Sequence, residues 1–106
     1  MKKTITFGIP CYNSAAYMDK CVESILEGSD YADDVQIVIV DDGSAKDDTP
    51  AKADEWQRRY PNIVKAVHQE NGGHGVAVMK AVANADGVYF KNIDSDDWAD
   101  ADALKA

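Results

Sequence analysis

Val35-Gln36-Ile37-Val38-Ile39-Val40-Asp41-Asp42-Gly43-Ser44 decides the fold. Up to Val40 every residue except Gln36 is apolar and β-branched. A strand with one wet face alternates apolar with polar, whereas a strand covered on both faces reads as a continuous apolar run. The stretch is therefore an inner strand of a parallel sheet. Asp41-Asp42-Gly43-Ser44 follows at once, placing two carboxylates at the strand's carboxyl end. In open α/β sheets ligands bind beyond that end. The plain alternative is that Asp41 or Asp42 only caps a turn with Gly43 and Ser44. As a rim residue, Asp42 is expected to accept Asn with little effect on folding.

Upstream, Thr4 to Ile9 alternates as a strand does, and Pro10 is expected to stop it because proline lacks a ladder donor. Cys11-Tyr12-Asn13-Ser14 reads as a polar turn. Ser14 then caps a helix over Ala15 to Glu27, in which Met18, Cys21, Val22, Ile25 and Leu26 form one apolar stripe. Downstream, Thr49 caps a second helix with Pro50 in its first turn. Ala53, Trp56 and Tyr60 give that helix a buried side, and Pro61-Asn62 breaks it. Ile63 to Val67 reads as a third strand, and His68 to Gly75 as a loop. A third helix follows over Val76 to Asn84, with Val78, Met79 and Val82 as its apolar contacts. Gly87 leads into a fourth strand, which ends in Asp94-Ser95-Asp96-Asp97. The order β-α-β-α-β-α-β means a mainly parallel open sheet with helices on both faces, a Rossmann-like α/β architecture.

Composition sets the outer limits. The 106 residues make one domain at most. The net charge of −8 argues against a nucleic-acid partner, though not against a nucleotide whose phosphates arrive with a metal. No run is long and apolar enough to span a bilayer, and no signal-peptide core is present. Cytoplasmic is the default location, with the cytoplasmic face of a membrane as the variant for a full-length protein. Cys11 and Cys21 read as buried thiols. The final residues, Asp100 to Ala106, look like the start of a helix, so the chain is expected to be the first part of a longer protein.

The acids carry the chemistry. Asp94, Asp96 and Asp97 offer hard oxygen ligands that suit Mg²⁺ or Mn²⁺, ions that share their sites with substrate phosphates. The alternative is a solvated acidic loop. Asp41 and Asp42 belong to the same rim and can accept from a nucleobase N–H or a ribose hydroxyl. Asn71-Gly72-Gly73-His74-Gly75 opens a helix, where backbone N–H groups can approach a diphosphate. His74 is either a ligand contact or an exposed loop histidine. His68, at the end of a strand, reads as structural, and Trp98 as a core anchor.

Taken together, Ile9-Pro10-Cys11-Tyr12-Asn13, Val38-Ile39-Val40-Asp41-Asp42-Gly43-Ser44, Glu70-Asn71-Gly72-Gly73 and Asp94-Ser95-Asp96-Asp97 resemble the amino-terminal half of a family 2 glycosyltransferase with the GT-A fold. The resemblance runs from about Thr4 to the end. It implies residues 1–106 as the nucleotide-diphosphosugar-binding portion of such a domain, truncated at its carboxyl end. It also implies transfer, with inversion, of a sugar from a nucleotide diphosphosugar, UDP being the commonest, to a hydroxyl of a carbohydrate or lipid-linked acceptor, assisted by Mn²⁺ or Mg²⁺. Pro10, Tyr12 and Asn13 match the motif beside the nucleotide. Asp42 matches the acid that contacts the base, with Asp41 beside it. Gly73 belongs to the glycine loop. Asp94 and Asp96 match the Asp-x-Asp pair, Asp96 as direct metal ligand and Asp94 toward metal and nucleotide. Where the family often carries Ala-Arg-Asn, this chain has Val78-Met79-Lys80, so Lys80 stands in as the cation. The catalytic base is expected beyond Ala106. The alternatives are a non-catalytic nucleotide-sugar-binding module and a Mg²⁺-binding receiver-like signalling domain. In the receiver an acid pair would follow the first strand, where Pro10-Cys11-Tyr12-Asn13 stands here.

Overall fold

The computed structural model describes residues 3–12, 15–29, 34–43, 48–70 and 72–93. The expectations for Asn13, Ser14, Asn71, Asp94 to Trp98 and the final residues lie outside them, as does the His74 side chain. Within them the order is β1 (Lys3–Cys11), α1 (Ala15–Gly28), β2 (Val35–Asp42), α2 (Thr49–Arg59), β3 (Val64–Gln69), α3 (His74–Ala83) and β4 (Gly87–Asn92). The four strands form one parallel sheet in the order β3-β2-β1-β4. The chain thus steps outward from β1 to β3, then returns across β1 to lay β4 on the other side. That reversal puts a topological switch point between β1 and β4, and ligands of such sheets bind at its carboxyl side.

Alternate residues of the inner strands feed two cores. Phe7 and Ile9 of β1, with Ile37 and Ile39 of β2, pack against Met18, Cys21, Val22, Ile25 and Leu26 of α1 and against Ala53 and Trp56 of α2. Val38 and Val40 face the other way, onto Ala77 and Ala81 of α3. This is why the run from Val35 to Val40 shows no polar alternation. Cys11 and Cys21 are both buried as thiols. Asp19 ties the two helices of the larger face together, accepting from Lys52 Nζ at 2.8 Å and from Trp56 Nε1 at 2.9 Å.

A buried polar cluster sits at the sheet's amino end. Gln36 Oε1 accepts from Thr6 Oγ1 and from the Asp86 N–H, each at 2.7 Å. Thr6 Oγ1 in turn accepts from the Gly87 N–H at 2.9 Å. These bonds draw Gly87 so close that a Cβ there would lie 2.6 Å from the Thr6 backbone nitrogen. A larger residue cannot enter β4 at that point without displacing β1.

Several expectations need correction. Pro10 does not end β1; it is buried within the strand in register with Val40, and β1 runs on to Cys11. Register with β4 reaches only to Gly8, so the missing donor interrupts little. Thr49 is the first residue of α2 rather than its cap, a position Asp48 holds. Strand β3 runs through His68 to Gln69, so His68 is part of the sheet and not the start of a loop. On α3 the buried residues are Ala77 and Ala81, whereas Met79 and Val82 are exposed and Val78 is half-buried. Small side chains let the helix approach the sheet closely, and the bulkier apolar residues face outward.

Candidate functional site

The strand ends converge at one rim. Register places Cys11 beside Asp41, Asp41 beside His68, and Asp42 beside Gln69. Tyr12 follows β1 and is half exposed there. β4 runs toward the same end of the sheet: the Ile93 N–H donates to Gly8 O at 2.8 Å, fixing the chain immediately before Asp94.

Asp41 and Asp42 are each only 4% exposed, so neither is a solvated surface acid. Asp42 turns toward the glycine loop. Its Oδ1 accepts from Gln69 Nε2 at 2.8 Å and from the Gly72 N–H at 2.8 Å, and its Oδ2 from the Gly73 N–H at 3.0 Å. Burial pushes the Asp42 carboxyl up, but those three donors outweigh it and hold the group below the usual carboxylate range. The Gly72 and Gly73 N–H groups are directed at Asp42, which thereby anchors the glycine loop. Gly73 adopts φ 95°, in the region only glycine enters readily, as the chain swings into α3.

Asp41 is engaged differently. Its Oδ2 lies 3.0 Å from His68 Nδ1, and His68 Nε2 lies 2.8 Å from Asp54 Oδ1 on α2. The imidazole bridges two carboxylates from two elements. The bond to Asp54, then that to Asp41, raise its pKa above the ordinary 6.5 against the opposing effect of burial. Sequence reasoning did not single out this bridge, because its partners lie 14 and 27 positions away. Gln69 was also missed. Its Oε1 is buried and has no hydrogen-bond partner among the described residues.

Lys80 stands apart from the glycine loop along α3. It lies in the last turn of α3. At about 1.5 Å of rise per residue, that is roughly 10 Å along the helix from Gly73. Among the described residues no cluster of three His, Cys, Asp or Glu gathers as a metal site. No helix among them is long and apolar enough to cross a membrane.

The description "Glycosyl transferase family 2" belongs to a family model that matches residues 6–106. A chondroitin synthase of Escherichia coli is 37% identical over 101 residues, covering 95% of this chain and 14% of the relative. Glycosyltransferase GlyG of Streptococcus pneumoniae is 36% identical over 98 residues, covering 92% of this chain and 31% of the relative. Among solved structures, TarS of S. aureus in complex with UDP-GlcNAc superposes with a TM-score of 0.79 at 29% identity, over 96% of this chain and 29% of that one. Mannosyltransferase PcManGT of Pyrobaculum calidifontis, in complex with GDP-Man and Mn²⁺, gives 0.81 at 28% identity, over 99% of this chain and 32% of that one. The chain therefore spans less than a third of the length of each of these four proteins.

Proposed function

Because the chain belongs to glycosyl transferase family 2, we propose that its carboxyl-end rim binds the nucleotide of a nucleotide diphosphosugar, UDP before other nucleotides, for inverting transfer to an acceptor hydroxyl. The observation that carries this reading is the convergence on one carboxyl-end rim of β1's end, the Asp41-Asp42 pair and the glycine loop, in a parallel sheet whose switch point borders β1. Tyr12 offers an aromatic face beside Pro10, with Asn13 next in the chain. Asp41 faces the nucleoside. Asp42 acts on the donor through Gly72 and Gly73, whose backbone it fixes. A recess of about 380 Å³ bordered by Gln36, Gln57 and Asp86 opens at the opposite, amino end of the strands and takes no part.

The carboxylates of Asp94 and Asp96 are the hard-oxygen donors that Mg²⁺ or Mn²⁺ requires. They follow directly on the strand end that Ile93 pins beside Gly8. When bound there, the ion would neutralise the leaving diphosphate. The family match sets aside the receiver-like reading. The non-catalytic binding module remains the second reading for the residues present, and it shares the same donor site.

The test is calorimetry with UDP in the presence and absence of Mn²⁺. Asp96→Ala is expected to weaken the Mn²⁺-dependent part of binding several-fold more than Asp97→Ala. Equal losses, or none, would remove Asp96 from the metal.

A further inference from the structure

We propose that His68 is a positioning residue of the donor site, a protonated clasp that sets Asp41 by bridging it to Asp54, so that donor affinity falls when the clasp loses its proton. The inference rests on the donor-site reading above.

Both ring nitrogens lie within hydrogen-bond distance of a carboxylate oxygen, 3.0 Å to Asp41 and 2.8 Å to Asp54. An ionised carboxylate only accepts, so both nitrogens must donate, and only the imidazolium carries two N–H groups. A neutral ring keeps one. Its other nitrogen then presents a lone pair to a carboxylate, and one side of the bridge opens. The two sides differ: the Asp41 side chain is 5% exposed and the Asp54 side chain 64%. The clasp thus links a buried acid at the rim to a solvated acid on α2.

Two consequences follow for the rim when the proton leaves. Asp41 loses a cationic neighbour, and the rim becomes one unit more negative where a diphosphate must approach. The charged groups facing His68 are Asp54 from α2 and Asp41 from β2, and its β3 neighbours Val67 and Gln69 carry no charge. Among the described residues no basic group acts on His68 to offset the loss. The ring itself is 42% exposed, so water can exchange its proton without any unfolding.

The experiment is titration of the full 106-residue chain with UDP-GlcNAc and Mg²⁺ from pH 6.0 to 8.5, with the His68 imidazole followed by NMR over the same range. UDP-GlcNAc is chosen because neither of its phosphates titrates there, unlike the terminal phosphate of UDP. Affinity is expected to fall by about three- to tenfold as pH rises, with a midpoint matching that of the imidazole. His68→Gln is expected to give a flat profile near the wild-type high-pH affinity. Asp54→Asn removes one of the two acids that hold the proton, so both midpoints should move to lower pH. If wild type and His68→Gln share one profile, or if Asp54→Asn shifts the imidazole midpoint and leaves the binding midpoint in place, the inference is overturned while the donor site stands. Should either variant fail to fold, disagreement between the two midpoints in the wild type overturns it equally. Absence of UDP-GlcNAc binding at every pH overturns the donor-site reading and this inference together.

Discussion

Asp42→Ala is expected to lower folding stability by about 3 kcal/mol and donor affinity per folded molecule by roughly tenfold. The carboxylate is almost fully buried and accepts three hydrogen bonds. Hydrogen bonds to charged groups contribute about 1.5–3 kcal/mol each, and water recovers part of that for Gly72 and Gly73, which are exposed. The affinity loss comes from the loop, which no longer has its anchor at the entrance to α3. Asp42→Asn should be costly too, because one of its two terminal atoms becomes a donor facing another donor. The tolerance expected for a rim residue therefore does not hold for this buried one. The pH dependence has a definite sign. The folded carboxyl titrates below its ordinary 3.8, so its contribution is complete above that value and is lost as pH falls through the lowered folded value. Thermal melting across pH 2–7, paired with calorimetry on the folded fraction, checks both parts. A lower melting temperature with unchanged affinity would make Asp42 a structural turn residue only.

The larger effect concerns catalysis. The 106 residues are expected to bind a nucleotide sugar and to transfer none of it to an acceptor. Inverting transfer needs a base within hydrogen-bond reach of the attacking hydroxyl. Four acids of the described structure are committed elsewhere: Asp42 to the glycine loop, Asp41 and Asp54 to His68, and Asp19 to Lys52 and Trp56. In the proposed site Asp94 and Asp96 would face the metal and diphosphate, and a metal-bound carboxylate is a poor base. General-base catalysis contributes about 10²–10⁴ in rate, and positioning of the acceptor adds to it. Slow hydrolysis of the donor by water is compatible with this arrangement. The assay is product formation from several nucleotide sugars and simple acceptors with Mn²⁺. Rapid transfer would place the base among these residues.

The sheet was legible because its signals are local. The unbroken run from Val35 to Val40 marks a strand buried on both faces, and the helix stripe from Met18 to Leu26 marks what covers one of them. Local signals failed where the deciding contact is distant. Hydrophobicity singles out Val78, Met79 and Val82 on α3, yet close approach to the sheet is decided by size, which favours Ala77 and Ala81. Pro10 reads as a stop, but a strand paired through it with β2 absorbs one missing donor. At the site, the motifs located Asp41, Asp42 and Gly73 on one rim. They could not show which way each carboxylate turns. That depends on partners supplied by other elements: Gln69 for Asp42, and His68 with Asp54 for Asp41.

Amide chemical-shift mapping with UDP-GlcNAc and Mg²⁺ shows whether the carboxyl-end rim is the donor site. Saturable shifts are expected at Tyr12, at Asp41 to Gly43, at Gly72 and Gly73 and at Ile93, with Gln36, Lys65 and Asp86 at the amino end unmoved. Shifts confined to the amino-end recess, or none at millimolar ligand, would contradict the donor-site reading.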